Sequence, residues 1–235
     1  MAAIKQLYDE YAAKWLKPGV TIWVFSDPHF NDLESKVFRG ESYPGDDALV
    51  KRINSKVGKH DVIIFLGDIG DLEYVKKIKG YKVLIMGNHD QGITNYKREY
   101  ETYHLEKVIL KNYTCYGPGQ FEDSYEYKKV VDSFDNHLFD EVYGGPLFVG
   151  PKLLLSHEPI YYPYAYNIHG HVHSLEAKND DNHFNACAEH IDYTPVRLSD
   201  IIAKAHLSKI PDIHRATIDN ATERKMKKIS GKGNL

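Results

Sequence analysis

The chain has 235 residues, a formal net charge of −3, 42% hydrophobic and 27% charged residues. That composition is ordinary for a folded domain and excludes predominant disorder, a collagen-like repeat and a disulfide-stapled miniprotein. The near-neutral charge gives no support to general nucleic-acid or membrane binding, whereas 13 histidines are many for this length and hint at metal chemistry.

Residues 1–19 read as an N-terminal amphipathic helix, with Ile4, Leu7, Tyr8, Tyr11, Ala12, Trp15 and Leu16 at helical spacing and Pro18-Gly19 ending it. It packs on its own domain or meets a partner. Val20 to Ser26 is a short apolar strand. It runs into Asp27-Pro28-His29, where proline biases the preceding residue toward extended backbone. A helix follows from Asp46 as N-cap, with Leu49, Ile53 and Val57 on one face. Val62 to Leu66 reads as a strand buried on both faces and ends at Gly67-Asp68. Leu72, Val75 and Ile78 mark a short helix closed by Gly80. Lys82 to Met86 is the next strand, followed by Gly87-Asn88-His89-Asp90.

Helices are expected in 93–104 and 125–138. Short strands then follow at 141–143, 147–149 and 153–155, separated by Gly144-Gly145-Pro146 and Gly150-Pro151. Further strands are expected near Asn167-Ile168 and from Phe184 to Ala188. A last helix carries Leu198, Ile201, Ile202 and Ala205. This alternation predicts an α/β fold, two packed β-sheets flanked by helices, in a single domain over residues 20–210. Residues 211–235 form a polar, partly basic tail with Arg224, Lys225, Lys227, Lys228 and Lys232. It is a solvated segment or a weak phosphate or nucleic-acid contact. Cys115 and Cys187 form no C-x-x-C pair, and no signal sequence or long apolar run is visible. A cytoplasmic location is the expectation.

The polar residues that follow the strands carry the chemistry. They are Asp27, His29, Asp68, Asn88, His89, Asp90, His157, His171 and His173. Each alone is a turn former, a cap or a surface histidine. Together they place imidazole, carboxylate and amide groups at five strand ends on one rim of a sheet, where ligands of α/β proteins bind. A sulfur-free N/O donor set suits Mn²⁺, Fe, Co²⁺, Ni²⁺ or Zn²⁺. Nine groups exceed what one ion can use, so two divalent metal ions are inferred, manganese first among the candidates.

In these residues the chain resembles a calcineurin-like metallophosphoesterase. The ordered motifs are Asp27-Pro28-His29, Gly67-Asp68-Ile69-Gly70-Asp71, Gly87-Asn88-His89-Asp90, His157 and Gly170-His171-Val172-His173. The resemblance runs from about residue 20 to about residue 203 and takes in the segment from Asn185 to Val196. It implies a first metal on Asp27, His29 and His173, a second on Asn88, His157 and His171, and Asp68 bridging the two. It implies His89 as the acid protonating the leaving oxygen, with Asp90 orienting it. Asp71 is either an N-cap or a functional member of the second motif. Hydrolysis would proceed by a hydroxide bridging both metals. The third motif lacks a preceding arginine and ends in Asp90 rather than glutamate, which argues against a calcineurin-type protein phosphatase. No insertion large enough for a separate cap domain is visible.

The expected substrate is a small phosphate ester, a diester before a monoester, with a nucleotide-like group as one candidate. Tyr161, Tyr162 and Tyr164, in the loop after His157, could stack on a flat group or pack on their own surface. Arg39 is a candidate phosphate contact, and His169 a structural residue. The alternatives are a catalytically silent scaffold binding a protein partner, and a nuclease, which would need a basic track that the net charge does not suggest. Oligomeric state is left open.

Overall fold

The computed structural model describes residue 15 and residues 17–35, 39, 42–90, 96–105, 125–134, 138–175 and 181–230. For 96–105, 125–134 and 228–230 it describes the backbone alone. The expected helix over 1–19 lies outside these residues apart from Trp15 and its last turn. Trp15 is buried in the core and its indole N–H donates to Glu141 Oε1 at 2.9 Å.

The chain separates into two compact units, one of residues 1–92 and 138–235, the other of residues 93–137. The first contains two sheets. β1 (Ile22–Phe25), β2 (Val62–Phe65), β3 (Tyr81–Ile85) and β6 (Glu141–Tyr143) pair in parallel. β11 (Val196–Arg197) adds an antiparallel edge to β1. The second sheet runs β10 (His183–Asn185), β9 (Tyr166–His169), β8 (Leu153–Leu155) and β7 (Leu147–Gly150), parallel except for the last pair.

Strand alternation explains the core. Ile22 and Val24, Ile64 and Leu66, and Val83 and Ile85 share one cluster with Leu153, Leu155, Tyr166, Ile168 and Ala186 of the second sheet. All four residues of β1 and of β2 are buried, as β-branched and aromatic runs covered on both faces should be. Helix α1 (Asp46–Lys56) buries Leu49, Val50 and Ile53. Its N-cap is Gly45 rather than the expected Asp46, which instead puts a carboxylate in the first turn. α2 (Leu72–Val75) is a single turn capped by the Asp71 side chain, which accepts from Glu73 N–H. α3 (Leu198–Lys204) buries Leu198 and Ile201. The α/β sandwich expected from the sequence is therefore the observed fold.

Two expectations are corrected. Residues 96–104 and 125–134 are not helical, and apart from Leu138 the rest of those two expected segments lies outside the described residues. β4 (Tyr96–Leu105) and β5 (Tyr125–Phe134) form a ten-pair antiparallel ladder in the second unit. The tyrosines at 96, 100 and 103 mimic helical spacing, but they are strand-favouring residues. The backbone register sets Tyr103 opposite Tyr127 and Tyr100 opposite Val130, residue types that favour strands. The second correction concerns the C-terminal segment, expected only as a polar tail, which forms an 18-residue helix, α4 (Ile213–Ser230). Its described residues are almost all exposed. Among the described residues no helix is long and apolar enough to cross a membrane.

Candidate metal centre

The two sheets meet beyond the carboxyl ends of their strands. Ser26, directly after β1, bridges to Cys187 after β10, with Ser26 N–H on Ala186 O and Ala188 N–H on Ser26 O, both at 3.0 Å. The first motif is laced to the second by Asp27 N–H on Gly67 O at 3.1 Å and His29 N–H on Asp68 O at 3.0 Å. Gly170 N–H reaches His157 O at 2.8 Å. Backbone bonds thus gather the strand-end loops into one cluster.

The cluster divides into two sets of candidate ligands, Asp27 with His29 and His173, and Asp68 with His157 and His171. Within each set the ligand atoms lie within 4.8 Å of one another. Asp68 Oδ2 lies 3.6 Å from His29 Nε2 and 3.4 Å from His157 Nε2, between the two sets. Asn88 Oδ1 lies 2.8 Å from His157 Nε2, and His171 Nδ1 lies 3.0 Å from the same atom. Every ligand expected from the sequence therefore falls at this one locus.

The surroundings fix which atoms face inward. His157 Nδ1–H donates to Leu66 O at 2.7 Å, which aims Nε2 at Asn88, His171 and Asp68. His29 Nδ1–H donates to Asp32 at 2.9 Å, aiming Nε2 at Asp27 Oδ1, 3.9 Å away. Asp27 Oδ2 accepts from Ser26 Oγ at 2.5 Å, His171 N–H at 2.9 Å and Cys187 Sγ at 3.3 Å. That leaves Oδ1 facing the cluster. Burial pushes the Cys187 thiol up, so it stays protonated and can donate.

Asp27 Oδ1 and His29 Nε2 are buried and have no hydrogen-bond partner among the described residues. Buried polar atoms are rarely left so, and a divalent cation between them would satisfy both. Burial lowers the His29 pKa and keeps its ring neutral, as a metal ligand requires. Burial also opposes charge on His157, but the hydrogen bond and charge of Asp68 with the charge of Asp27 raise its pKa to about 9. A proton on Nε2 does there what a cation would do for the surrounding oxygen and nitrogen atoms. The donor set fits divalent metals.

Close packing forces two of the glycines. A Cβ on Gly170 would stand 1.9 Å from Ser26 Oγ and 2.3 Å from Asp27 Oδ2. A Cβ on Gly87 would stand 2.2 Å from Asp68 Oδ1. The ligand backbone is strained as well. Asp27, His29, Asp68, His171 and His173 all have positive φ, from 41° to 68°. Asp27 is thus left-handed, not extended as Pro28 alone would suggest.

The remaining predicted residues divide. His89 is exposed, its ring centroid 5.5 Å from that of His29, and its N–H donates to Asp68 Oδ1 at 2.9 Å. Asp90 is buried, and its carboxylate accepts the N–H groups of Gly87, Asp68 and Ile69 at 2.8–3.0 Å. It braces the backbone of the motifs instead of orienting the His89 ring. Arg39 is also buried, not presented to a phosphate. Its Nη2 donates to the carbonyls of Pro28, at 2.6 Å, and His29. His169 is buried with Nδ1–H on Gly170 O at 2.9 Å, the structural role expected of it.

Beside Asn88 and His157 opens a pocket of about 290 Å³, lined also by Met86, Gly144, Gly145, Pro146, Glu158 and Ile160. Tyr161, Tyr162 and Tyr164 are not among its lining residues. Tyr162 packs against Phe148 and Tyr164, with ring centroids 6.1 and 5.5 Å away, and Tyr161 lies 4.5 Å from the His183 ring. Sequence inspection missed the Gly144-Gly145-Pro146 wall because a Gly-Gly-Pro run reads simply as a turn. It also missed Asp32 and Glu189, which look like ordinary surface carboxylates. Glu189 Oε1 stands 3.3 Å from His173 Nδ1.

A sequence profile for calcineurin-like phosphoesterases matches residues 20–187. A crystal structure of AQ665, a protein of unknown function from Aquifex aeolicus, has a TM-score of 0.52 and 22% sequence identity, covering 79% of this chain and 99% of that chain. At that identity the likeness shows the fold alone. A search of curated proteins finds no match.

Proposed function

The chain belongs to the calcineurin-like phosphoesterase family, and from that premise we propose that it hydrolyses a small phosphodiester, and a phosphomonoester less readily. The observation that carries this is the position of Asp68 Oδ2, within 3.6 Å of a histidine from each ligand set. Asp27, His29 and His173 would hold one divalent cation, and Asn88, His157 and His171 the other, with Asp68 shared. Such a pair supplies charge neutralisation at phosphorus and a shared water acidified enough to act as the hydroxide nucleophile. Mixed nitrogen and oxygen donors suit Mn²⁺.

The chain's own residues do the rest. His89, exposed beside His29, is in a position to hand a proton to the departing oxygen. Asn88 contributes a neutral amide, so the centre keeps positive charge for an anionic substrate. The pocket next to Asn88 and His157 offers room for the second organic group of a diester. Among the described residues, apart from the immediate chain neighbours, no heavy atom lies within 4 Å of where a Cβ on Gly144 or Gly145 would stand, so that wall is open.

The test compares bis-p-nitrophenyl phosphate with p-nitrophenyl phosphate under Mn²⁺. Faster diester turnover is expected, and Asp68→Ala should abolish both. Much faster monoester turnover would overturn the diester preference. Full metal binding without hydrolysis of either ester would point to a silent scaffold instead.

A further inference from the structure

The two ligand sets are braced by different chemistry. On the first, both imidazoles lean on carboxylates. His29 Nδ1–H meets Asp32 Oδ2 at 2.9 Å, and His173 Nδ1–H meets Glu189 Oε1 at 3.3 Å. Asp32 is itself pinned, its Oδ1 accepting Glu34 N–H at 3.0 Å and Ser35 N–H at 3.4 Å. The Glu189 side chain is only 9% exposed, and its Oε2 is buried with no hydrogen-bond partner among the described residues. The third ligand, Asp27, is a carboxylate with Oδ2 held by three donors. On the second set, His157 leans on a neutral carbonyl, Leu66 O at 2.7 Å, and Asn88 supplies a neutral amide. Asp68 is common to both.

Two physical effects act in the same direction. Carboxylates a few ångströms away attract a divalent cation, and more strongly where side chains are shielded from water. An imidazole that donates to a carboxylate is also a more basic ligand than one that donates to a carbonyl. We propose that the Asp27–His29–His173 set binds its divalent cation more tightly and fills first, and that Asp32 and Glu189 are the positioning residues that set this order. The proposal rests on the dinuclear arrangement above but not on any activity.

The full chain, stripped with chelator and dialysed, is titrated with Mn²⁺ while free Mn²⁺ is followed by electron paramagnetic resonance. The wild type should bind two equivalents in two steps. Asp32→Asn and Glu189→Gln should each weaken the tighter step roughly 10–100-fold and leave the looser step in place. Asn88→Ala should weaken the looser step alone. Melting of each metal-free variant, matched to wild type, separates this effect from general unfolding. Should Asp32→Asn fail to fold, Glu189→Gln reads the same step independently. Two equal steps, or carboxylate variants that leave the tighter step unmoved or weaken the looser one, would overturn the proposal while sparing the phosphoesterase assignment. Binding of a single equivalent would overturn the dinuclear arrangement and the proposal with it.

Discussion

The strands of the sandwich and the loops that leave them follow opposite rules. β1 and β2 are regular, fully buried and filled with residues suited to strands. Directly after them come Asp27, His29 and Asp68, polar, buried and in left-handed backbone. A non-glycine residue in that region costs on the order of 1–3 kcal/mol and persists only where its surroundings impose it. Here the imposing structure is visible. Asp90 takes three backbone N–H groups, Arg39 takes two carbonyls, and Gly87 and Gly170 allow approaches that no other residue would. The sandwich contributes stability, and the loops use part of it to hold ligands in place.

That division can be broken from either side. The largest effect expected is on chemistry with no effect on the fold. His89→Ala removes an exposed ring, so melting should not change, while turnover falls roughly 10²–10⁴-fold. Full activity in this variant would sink the acid role. Ile64→Ala tests the opposite side. Ile64 is wholly buried between the sheets. Its truncation should cost about 2–5 kcal/mol in urea unfolding and leave Mn²⁺ stoichiometry unchanged below the transition. Asp90→Ala should cross the boundary. It leaves three backbone amides without their acceptor, a loss of about 1–3 kcal/mol for each that stays buried, and it frees the backbone beneath Asp68. Stability and turnover should therefore fall together, unlike in His89→Ala. A drop in turnover alone would return Asp90 to orienting His89.

The same contrast explains what could be read from the sequence. Val62–Phe65 can be little else than a buried strand, and Gly-Asp after it marks the turn. Ligands placed at strand ends are visible because chain order and residue type carry the information. What supports them is not. Asp32 and Glu189 lie three and sixteen residues from the histidines they brace, and only the fold brings the second pair together. Arg39 looks like an anion binder until burial shows its guanidinium spent on carbonyls. The 96–105 segment misleads for another reason. Its tyrosines at 96, 100 and 103 follow a helical period, with Tyr103 out of a two-residue alternation, yet the ladder with 125–134 makes the segment a strand.

The smallest expected effect is a slope with pH, and it separates loops from strands most cleanly. With metals chelated, folded His157 holds its proton up to about pH 9, whereas an unfolded histidine releases it near the ordinary value of 6.5. The native state then binds more protons than the unfolded state between these values, so its stability must fall as pH rises through that window. His173, lowered by burial but raised on balance by Glu189, acts in the same direction. His29 and His169, lowered by burial, titrate below the window. Metal bound at the proposed site would oppose this trend, because the His157 proton would have to leave before Nε2 could coordinate, so affinity would rise with pH over the same range. Melting temperatures between pH 6.5 and 9 should fall with chelator present and rise, or fall less, with Mn²⁺. Ile64→Ala should shift both curves down without altering either slope, since it touches only the strands. A metal-free protein whose stability held level or rose across this range would show that the Asp68–His157 pair does not hold the proton.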